Sequence, residues 1–520
     1  MDSSKEFKLL SQLYLFKIDE LEELESNKSY RILPLRKESS SRMGIEMKIK
    51  DILIDIGLGL YQWQIFGIVC FTFFCHGCQI ILLSLLLPLC INSYGITQFQ
   101  ASLFFFIEQM GYFLGIFTLN RVCDYFGRKP VLIFYSITLA GFAFFSAFGE
   151  DFTYLLAFRF FIGFLSISTA GISYLILSDI MDIQNFGNIQ TFLEVTLLLG
   201  SFVEIMITSV VMENLQEGDW KLLIMITSGF NIVLAGLISN SVDETISYEI
   251  QNKRIPKAIE LINKLAKKNL GVENYMSQKK YLDFENWALA CLEKENFDQS
   301  KNNCRNSLDF GPKIKSISIF LSFLWFVNIM TYTALLLLLP LILMKYFDKD
   351  PDSILYLIFP VISAIPSNFS SAEISHFSHD FLKAIFGLSF ILVGMLSIPL
   401  FFDFWPGFLF YLSLMSLFLN LCLSLKFQYL TNSVPKFYKS QILINANLCG
   451  KFGGMAMPWL AMPLINYDLL SPFLVFGMVN IVAGALILCY KVENRKNSNE
   501  IDLEMTLCQH GNDMVYFVSP

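Results

Sequence analysis

The sequence predicts an all-α polytopic membrane protein, with twelve transmembrane helices in two six-helix bundles. Three observations predict it. Apolar runs of about 20 residues, the length that crosses a bilayer, recur along the chain. Only 16% of the 520 residues are charged and 54% are hydrophobic, whereas soluble domains carry about a quarter charged. A single polar insert divides the apolar runs into two sets of six.

The chain opens with a cytoplasmic N-terminal lead over 1–62. Met1 to Lys50 is rich in Lys, Glu and Ser, with a short helix expected around Ile18 to Glu25. So polar a start predicts no cleavable signal peptide, which leaves the first span to direct insertion. Asp51 to Trp63 reads as an amphipathic approach that ends on an interfacial aromatic. Spans are expected at 63–89, 99–119, 130–149, 153–179, 188–212 and 219–240, and again at 316–343, 353–374, 382–402, 406–431, 440–465 and 470–490. Two bundles, 63–240 and 316–490, therefore flank a cytoplasmic insert at 241–315, and a cytoplasmic tail follows at 491–520. Within the insert, Ile255, Ala258, Ile259, Ile262 and Ala266 recur at helical spacing and predict an amphipathic helix over Ile255 to Lys267.

An even number of spans puts both termini on one face, and the basic residues choose it. Of the 38 Lys and Arg, 32 fall on the terminal side, three inside spans (Arg159, Lys426, Lys451) and three on the far side (Lys221, Lys345, Lys349). With the long lead and insert set aside, nine still oppose three, so both termini are expected in the cytoplasm. The net charge of −7 sits in loops and tails and says little about partners. No nucleic-acid motif, phosphate loop, zinc spacing or Ser-His-Asp order is present, so no enzyme activity, cofactor or metal is expected. Of the 11 cysteines, Cys70, Cys75, Cys78, Cys422, Cys449 and Cys489 lie within apolar runs as small hydrophobes, and no disulfide is expected.

Between spans 2 and 3 stands a charged island, Asn120-Arg121-Val122-Cys123-Asp124-Tyr125-Phe126-Gly127-Arg128-Lys129-Pro130. Asp-x-x-Gly-Arg-Lys at this place resembles the signature of the major facilitator superfamily. The resemblance implies that Asp124, Gly127, Arg128 and Lys129 form a gating latch between two alternating states. As a plain alternative, Arg121, Arg128 and Lys129 are orientation anchors. Asn120 replaces a glycine usual in the family. The run Ile56-Gly57-Leu58-Gly59-Leu60-Tyr61-Gln62-Trp63 narrows the resemblance to the branch of synaptic-vesicle-protein-like and organic-ion carriers. Val242 to Tyr248 is similar to the Pro-Glu-Ser-Pro-Arg-Tyr run of sugar and organic-ion carriers, without its prolines and Arg. A worn second copy of the island follows span 8 as Ser375-His376-Phe377-Ser378-His379-Asp380. Ser178-x-x-Met181-x-x-x-Asn185 after span 4 returns as Asn432-x-x-Pro435-x-x-x-Lys439 after span 10. Duplicated halves enclosing a midplane site are the build of secondary transporters.

Ionisable groups inside spans cost a few kcal/mol to insert and mark functional positions. His76 lies near the middle of span 1, one turn from Gln79. Imidazole titrates near pH ~6.5, so His76 is either a proton carrier or a neutral hydrogen-bonding group. Lys451 lies near the middle of span 11, among glycines, and is similar to the cation that anion-selecting family members use. Glu194 and Glu204 share span 5, about 80° apart around the helix; Glu204 is the deeper and is expected to pair with Lys451 or to bind a proton. Glu108 on span 2 follows the same logic. Arg159 opens Arg159-x-x-x-Gly163 on span 4, which resembles a family motif tied to proton coupling. Lys426 is expected to snorkel to the cytoplasmic interface.

The function expected is secondary transport of a small organic solute by alternating access, an organic anion or zwitterion favoured, with protons as the candidate coupling ion and the lipid bilayer as the chain's only other partner. A monomer is expected. The alternative is a non-transporting solute receptor or regulator on the same fold, suggested by the worn motifs. A channel is disfavoured, since no repeated selectivity-filter segment appears.

Overall fold

A computed structural model describes residues 41–181, 186–272, 275–276, 280–290, 312–346, 351–374, 377–401, 407–434 and 438–490. The expected helix at Ile18 to Glu25, the tail at 491–520, and Asn185, Ser375, His376 and Pro435 lie outside these residues.

Twelve long helices stand where twelve spans are expected. Spans 1 to 6 are Leu60–Tyr94, Gln98–Phe126, Arg128–Phe145, Phe152–Ile180, Phe186–Val211 and Trp220–Ser241; spans 7 to 12 are Pro312–Tyr346, Ile358–Ile374, His379–Phe401, Phe408–Ser433, Lys439–Ile465 and Ser471–Cys489. Eleven of them are long and apolar enough to cross a membrane among the described residues. Span 11 has the length but is diluted by Lys451, three glycines and two internal prolines. Local chemistry sets the ends. Span 1 stops at Gly95 in the left-handed conformation. Span 2 starts at Thr97, whose hydroxyl accepts from the Gln100 N–H while Gln100 Oε1 accepts from the Thr97 N–H at 2.8 Å.

The halves repeat each other in packing. Span 1 lies on 5, 2 on 4 and 3 on 6; correspondingly 7 lies on 11, 8 on 10 and 9 on 12. Across the seam, 2 meets 11, 5 meets 8 and 1 meets 7. Spans 1 and 7 are both 35 residues long, with Pro88 and Pro340 at the same offset inside the same Leu-Leu-Leu-Pro-Leu run. An internal proline leaves the carbonyl four residues earlier without its helical donor. For Pro340 that carbonyl is Leu336, and the Ser84 hydroxyl of span 1 donates to it across the seam. A hydrophobic core runs through this far face, joining Leu82 to Leu89 with Leu335 to Leu343.

At the terminal face a second core joins the first bundle to the segments that precede and follow it. There the approach to the membrane is a separate helix, Ser41–Ile56, which ends at Gly57 (φ +75°), so span 1 begins at Leu60. Its Ile49, Leu53 and Ile56 pack with Ile250, Ile262 and Phe284 of the insert. The amphipathic insert helix extends over Ile255–Leu270 and buries the predicted face. Its Asn269 locks it onto the start of span 1: Oδ1 accepts from the Tyr61 N–H at 3.1 Å, and Nδ2 donates to Gly57 O at 3.2 Å and Gln62 Oε1 at 2.7 Å.

Candidate functional site

The charged turn after span 2 is held by residues far along the chain. Gly127 bends the backbone at φ +96°, and a Cβ there would sit 2.6 Å from Glu244 Oε2. That carboxylate accepts from the Arg128 and Lys129 N–H groups, at 3.1 Å each, so it caps the positive end of span 3. Arg128 pairs with Asp179 at the end of span 4. Asp243 gathers Lys264 Nζ (2.6 Å), the Tyr61 hydroxyl (3.3 Å) and Lys129 Nζ (3.9 Å). Asp124 is exposed and makes no ion pair or hydrogen bond among the described residues. Where the family signature implies an Asp–Arg relay, the described residues show Arg128 paired with Asp179 and its backbone N–H on Glu244. The motif alone does not reveal this, because both partners lie over 50 residues away.

Deep in the first bundle, Arg159 is fully buried. Its nearest charge is Glu108 Oε2, 3.8 Å from an Arg159 Nη, and none of its three guanidinium nitrogens has a hydrogen-bond partner among the described residues. Glu108 Oε1 accepts from the Tyr112 hydroxyl at 2.8 Å. Glu204 also feels the Arg159 charge; its Oε1 accepts from Thr227 at 2.6 Å and its Oε2 has no hydrogen-bond partner. One cation and two carboxylates are therefore fully buried in this bundle. Cys78 and Cys90 of span 1 face the same charges. The spacing Arg159-x-x-x-Gly163 has a packing reason: a Cβ at Gly163 would lie 2.6 Å from the Glu108 carbonyl, so the glycine lets span 2 bring Glu108 up to Arg159.

His76 sits beside this site, buried, with Nδ1 2.7 Å from Ser166 Oγ and its ring edge-on to Tyr112 at 5.8 Å. Gln79 is buried with its Oε1 unpartnered. Tyr112 then links the halves, because Lys451 Nζ lies over its ring, 4.6 Å from the centroid. Lys451 has no carboxylate within ion-pair distance among the described residues. The glycines beside it let neighbours in; a Cβ at Gly454 would meet Gln109 Oε1 of span 2 at 2.7 Å.

Two sequence expectations need correction. Of the two roles expected of Glu204, pairing with Lys451 or binding a proton, the pairing is not made among the described residues, where Glu204 Oε1 accepts from Thr227 instead. Nor does Lys426 snorkel. It is 5% exposed, with Nζ over the Trp325 ring at 5.2 Å and the Phe427 ring at 5.4 Å, and Glu194 facing it across the seam. The helix turns it inward, away from the nearby interface. Glu194 belongs to this second group and joins Ser424 and Asn368, Ser424 Oγ lying 2.7 Å from Asn368 Oδ1. Neither Trp325 nor Tyr112 stands out in the sequence, since aromatic residues fill the spans.

The profile of the Major Facilitator Superfamily matches residues 69–375. Synaptic vesicle 2-related protein of Xenopus laevis is 21% identical over 290 residues, covering 56% of this chain and 49% of that protein. The chain thus spans about half the length of the synaptic vesicle 2-related proteins it matches. Solute carrier family 22 member 2 of Pongo abelii is 24% identical over 410 residues, 77% of this chain and 67% of that one. The niacin transporter NiaP of Acinetobacter baylyi is 20% identical over 337 residues, 63% and 70%. Among solved structures, the xylose transporter XylE from E. coli in a partially occluded inward-open conformation superposes with a TM-score of 0.62 at 13% identity, covering 82% of this chain and 99% of that one. Twelve spans, paired halves and a charged midplane belong together: the chain is a member of the Major Facilitator Superfamily of multi-pass membrane transporters.

Proposed function

We propose that the protein is a secondary transporter that carries a small organic anion or zwitterion by alternating access, coupled to protons. The carrying observation is Lys451, a cation near the middle of a span with its ammonium over the Tyr112 ring and no ion pair among the described residues. A half-buried ammonium inside a span needs a counter-charge, and a carboxylate on the solute supplies it. The proton belongs to the group around Arg159, where two carboxylates share one guanidinium and one proton makes the group neutral. Buried in the seam, both groups feel each other through Tyr112, which bonds Glu108 and stacks under Lys451. Both termini lie in the cytoplasm on this reading, so tags after Lys267 and after Asn497 stay protected from protease in sealed cells.

The test is uptake into proteoliposomes of radiolabelled organic carboxylates, ammonium compounds and zwitterions, with and without an inward proton gradient. Carboxylate uptake driven by the gradient, abolished by Lys451→Met and uncoupled by Glu204→Gln, supports the reading. Uptake of a permanent cation that survives Lys451→Met overturns it. Asp124 of the latch motif, exposed and without a partner among the described residues, keeps a solute receptor on the same fold as the second reading; binding of a solute without flux favours it.

A further inference from the structure

The start of span 7 carries a groove of about 490 Å³, lined by Lys315, Ser316, Ile319, Phe320 and Phe323. These positions fall on one face of the helix, with the polar pair at its terminal end. Tyr490, just past the end of span 12, joins them. Its ring stacks on Phe320 at 4.2 Å, and its hydroxyl lies 3.2 Å from Ser316 Oγ. Lys315 is exposed and makes no ion pair or hydrogen bond among the described residues. The adjacent sequence, Pro312-Lys313-Ile314-Lys315-Ser316 and Cys489-Tyr490-Lys491, contains positive charges and no negative one. One ammonium and two hydroxyls thus stand at the mouth of a wall made of Ile and Phe. Phe323 is eight residues beyond Lys315, or about 12 Å along the helix. That depth stays within one leaflet of a hydrocarbon core about 30 Å thick.

The first bundle shows the same place occupied by protein. Spans 1 and 7 share their length and the offset of their internal proline, which aligns Ser316 with Gln64, each the fifth residue of its helix. Gln64 Oε1 accepts from Lys268 Nζ of the insert helix at 3.1 Å, and Asn269 grips the turn before it. The groove on span 7 is the second bundle's copy of that place, and it stands open. We propose that it binds one anionic phospholipid from the leaflet at the terminal face. The headgroup phosphate lies against Lys315 Nζ and accepts from the Ser316 and Tyr490 hydroxyls, while an acyl chain runs along Ile319, Phe320 and Phe323. Bound there, the lipid ties the end of span 12 to the start of span 7, as Lys268 and Asn269 tie the insert to span 1. A zwitterionic lipid fits less well, because its own ammonium group meets Lys315. The terminal face is cytoplasmic on the reading above, and the cytoplasmic leaflet is the anionic one.

The experiment uses the full chain in detergent micelles. Native mass spectrometry reads the dissociation constant of the first bound lipid, for phosphatidylglycerol and phosphatidylcholine with identical acyl chains. One basic residue beside anionic lipid is worth about fivefold in affinity, so the native protein binds phosphatidylglycerol at least fivefold more tightly. Lys315→Glu abolishes that preference and Lys315→Arg keeps it. Tyr490→Phe, which retains the stacked ring, weakens phosphatidylglycerol, and Phe323→Ala weakens both lipids alike. Lys257→Glu, the same charge change on the exposed face of the insert helix, leaves the native preference in place. Four results overturn the assignment: equal binding of the two lipids by the native protein, a preference that survives Lys315→Glu, an equal loss in Lys257→Glu, or displacement of the lipid by millimolar inorganic phosphate, the mark of a bare anion site. Micelles present lipid to both faces, so neither the orientation nor the transport reading enters the result.

Discussion

The charge group of the first bundle and that of the seam are built from the same number of ionisable residues and behave as opposites. Arg159, Glu108 and Glu204 hold one cation between two anions, and the carboxylates are anchored by Tyr112 and Thr227. Lys426, Lys451 and Glu194 hold two cations against one anion, and both ammoniums rest on rings. The first carries an excess carboxylate held by hydroxyls; the second carries an excess ammonium held by rings. A buried charge is tolerable when something compensates it. The two excesses are of opposite sign, so each group is the other's nearest source of compensation.

The largest effect is expected where that contrast is cut most directly. Arg159→Met strands two buried carboxylates and should lower stability by about 3–5 kcal/mol, read as a large fall in thermal unfolding midpoint in detergent. Lys426→Met removes a cation that makes no ion pair among the described residues and rests on rings, so its midpoint should fall far less or stay level. Equal losses in the two variants would erase the distinction. Next comes Gly163→Ala, whose Cβ would enter the 2.6 Å gap to the Glu108 carbonyl. Overpacking of this kind costs about 1–3 kcal/mol, and a revertant that shrinks a neighbouring side chain should recover part of it.

At the terminal face the comparison is between two acids of one latch. Asp179→Asn breaks the Arg128 pair and should shift the balance between the two transport states by about 1–3 kcal/mol. Asp124→Asn, at an exposed site, should stay within about 0.5 kcal/mol. Labelling rates of single cysteines introduced on each face measure both, and a dominant Asp124 effect would restore the relay that the motif suggested. The smallest effect is Ser84→Ala. It leaves the carbonyl that Pro340 exposes without its donor, a loss of about 0.6 kcal/mol for a hydrogen bond between membrane helices. It should appear as faster labelling from the far face.

The spans were legible because their length and apolarity are forced by the bilayer. The amphipathic insert helix was legible for the same reason: Ile255, Ala258, Ile259, Ile262 and Ala266 repeat on one face, and that face is buried. The partners of the buried charges were not. Spacing along a helix tells which side a residue is on, but not which of eleven other helices stands opposite, so neither the Glu108–Arg159 pair nor the Thr227 hydroxyl on Glu204 can be read from it. Depth misled for Lys426 in the same way. Counting residues to the interface gives reach, whereas helix rotation points the side chain into the seam. One signal of the paired halves is plain in the sequence: Leu-Leu-Leu-Pro-Leu stands at the same offset in spans 1 and 7.

Span 11 carries a consequence for how the protein is made. It is the long helix among the described residues that lacks the apolarity of the other eleven. A lysine at a helix centre opposes membrane insertion by about 2.5–3.5 kcal/mol. Span 12, which follows after a turn of a few residues, is among the most apolar of all. During synthesis, then, span 11 enters the bilayer as the first arm of a hairpin whose second arm holds it there, and a ribosome halted before Ser471 leaves Lys451 on the wrong side of the decision.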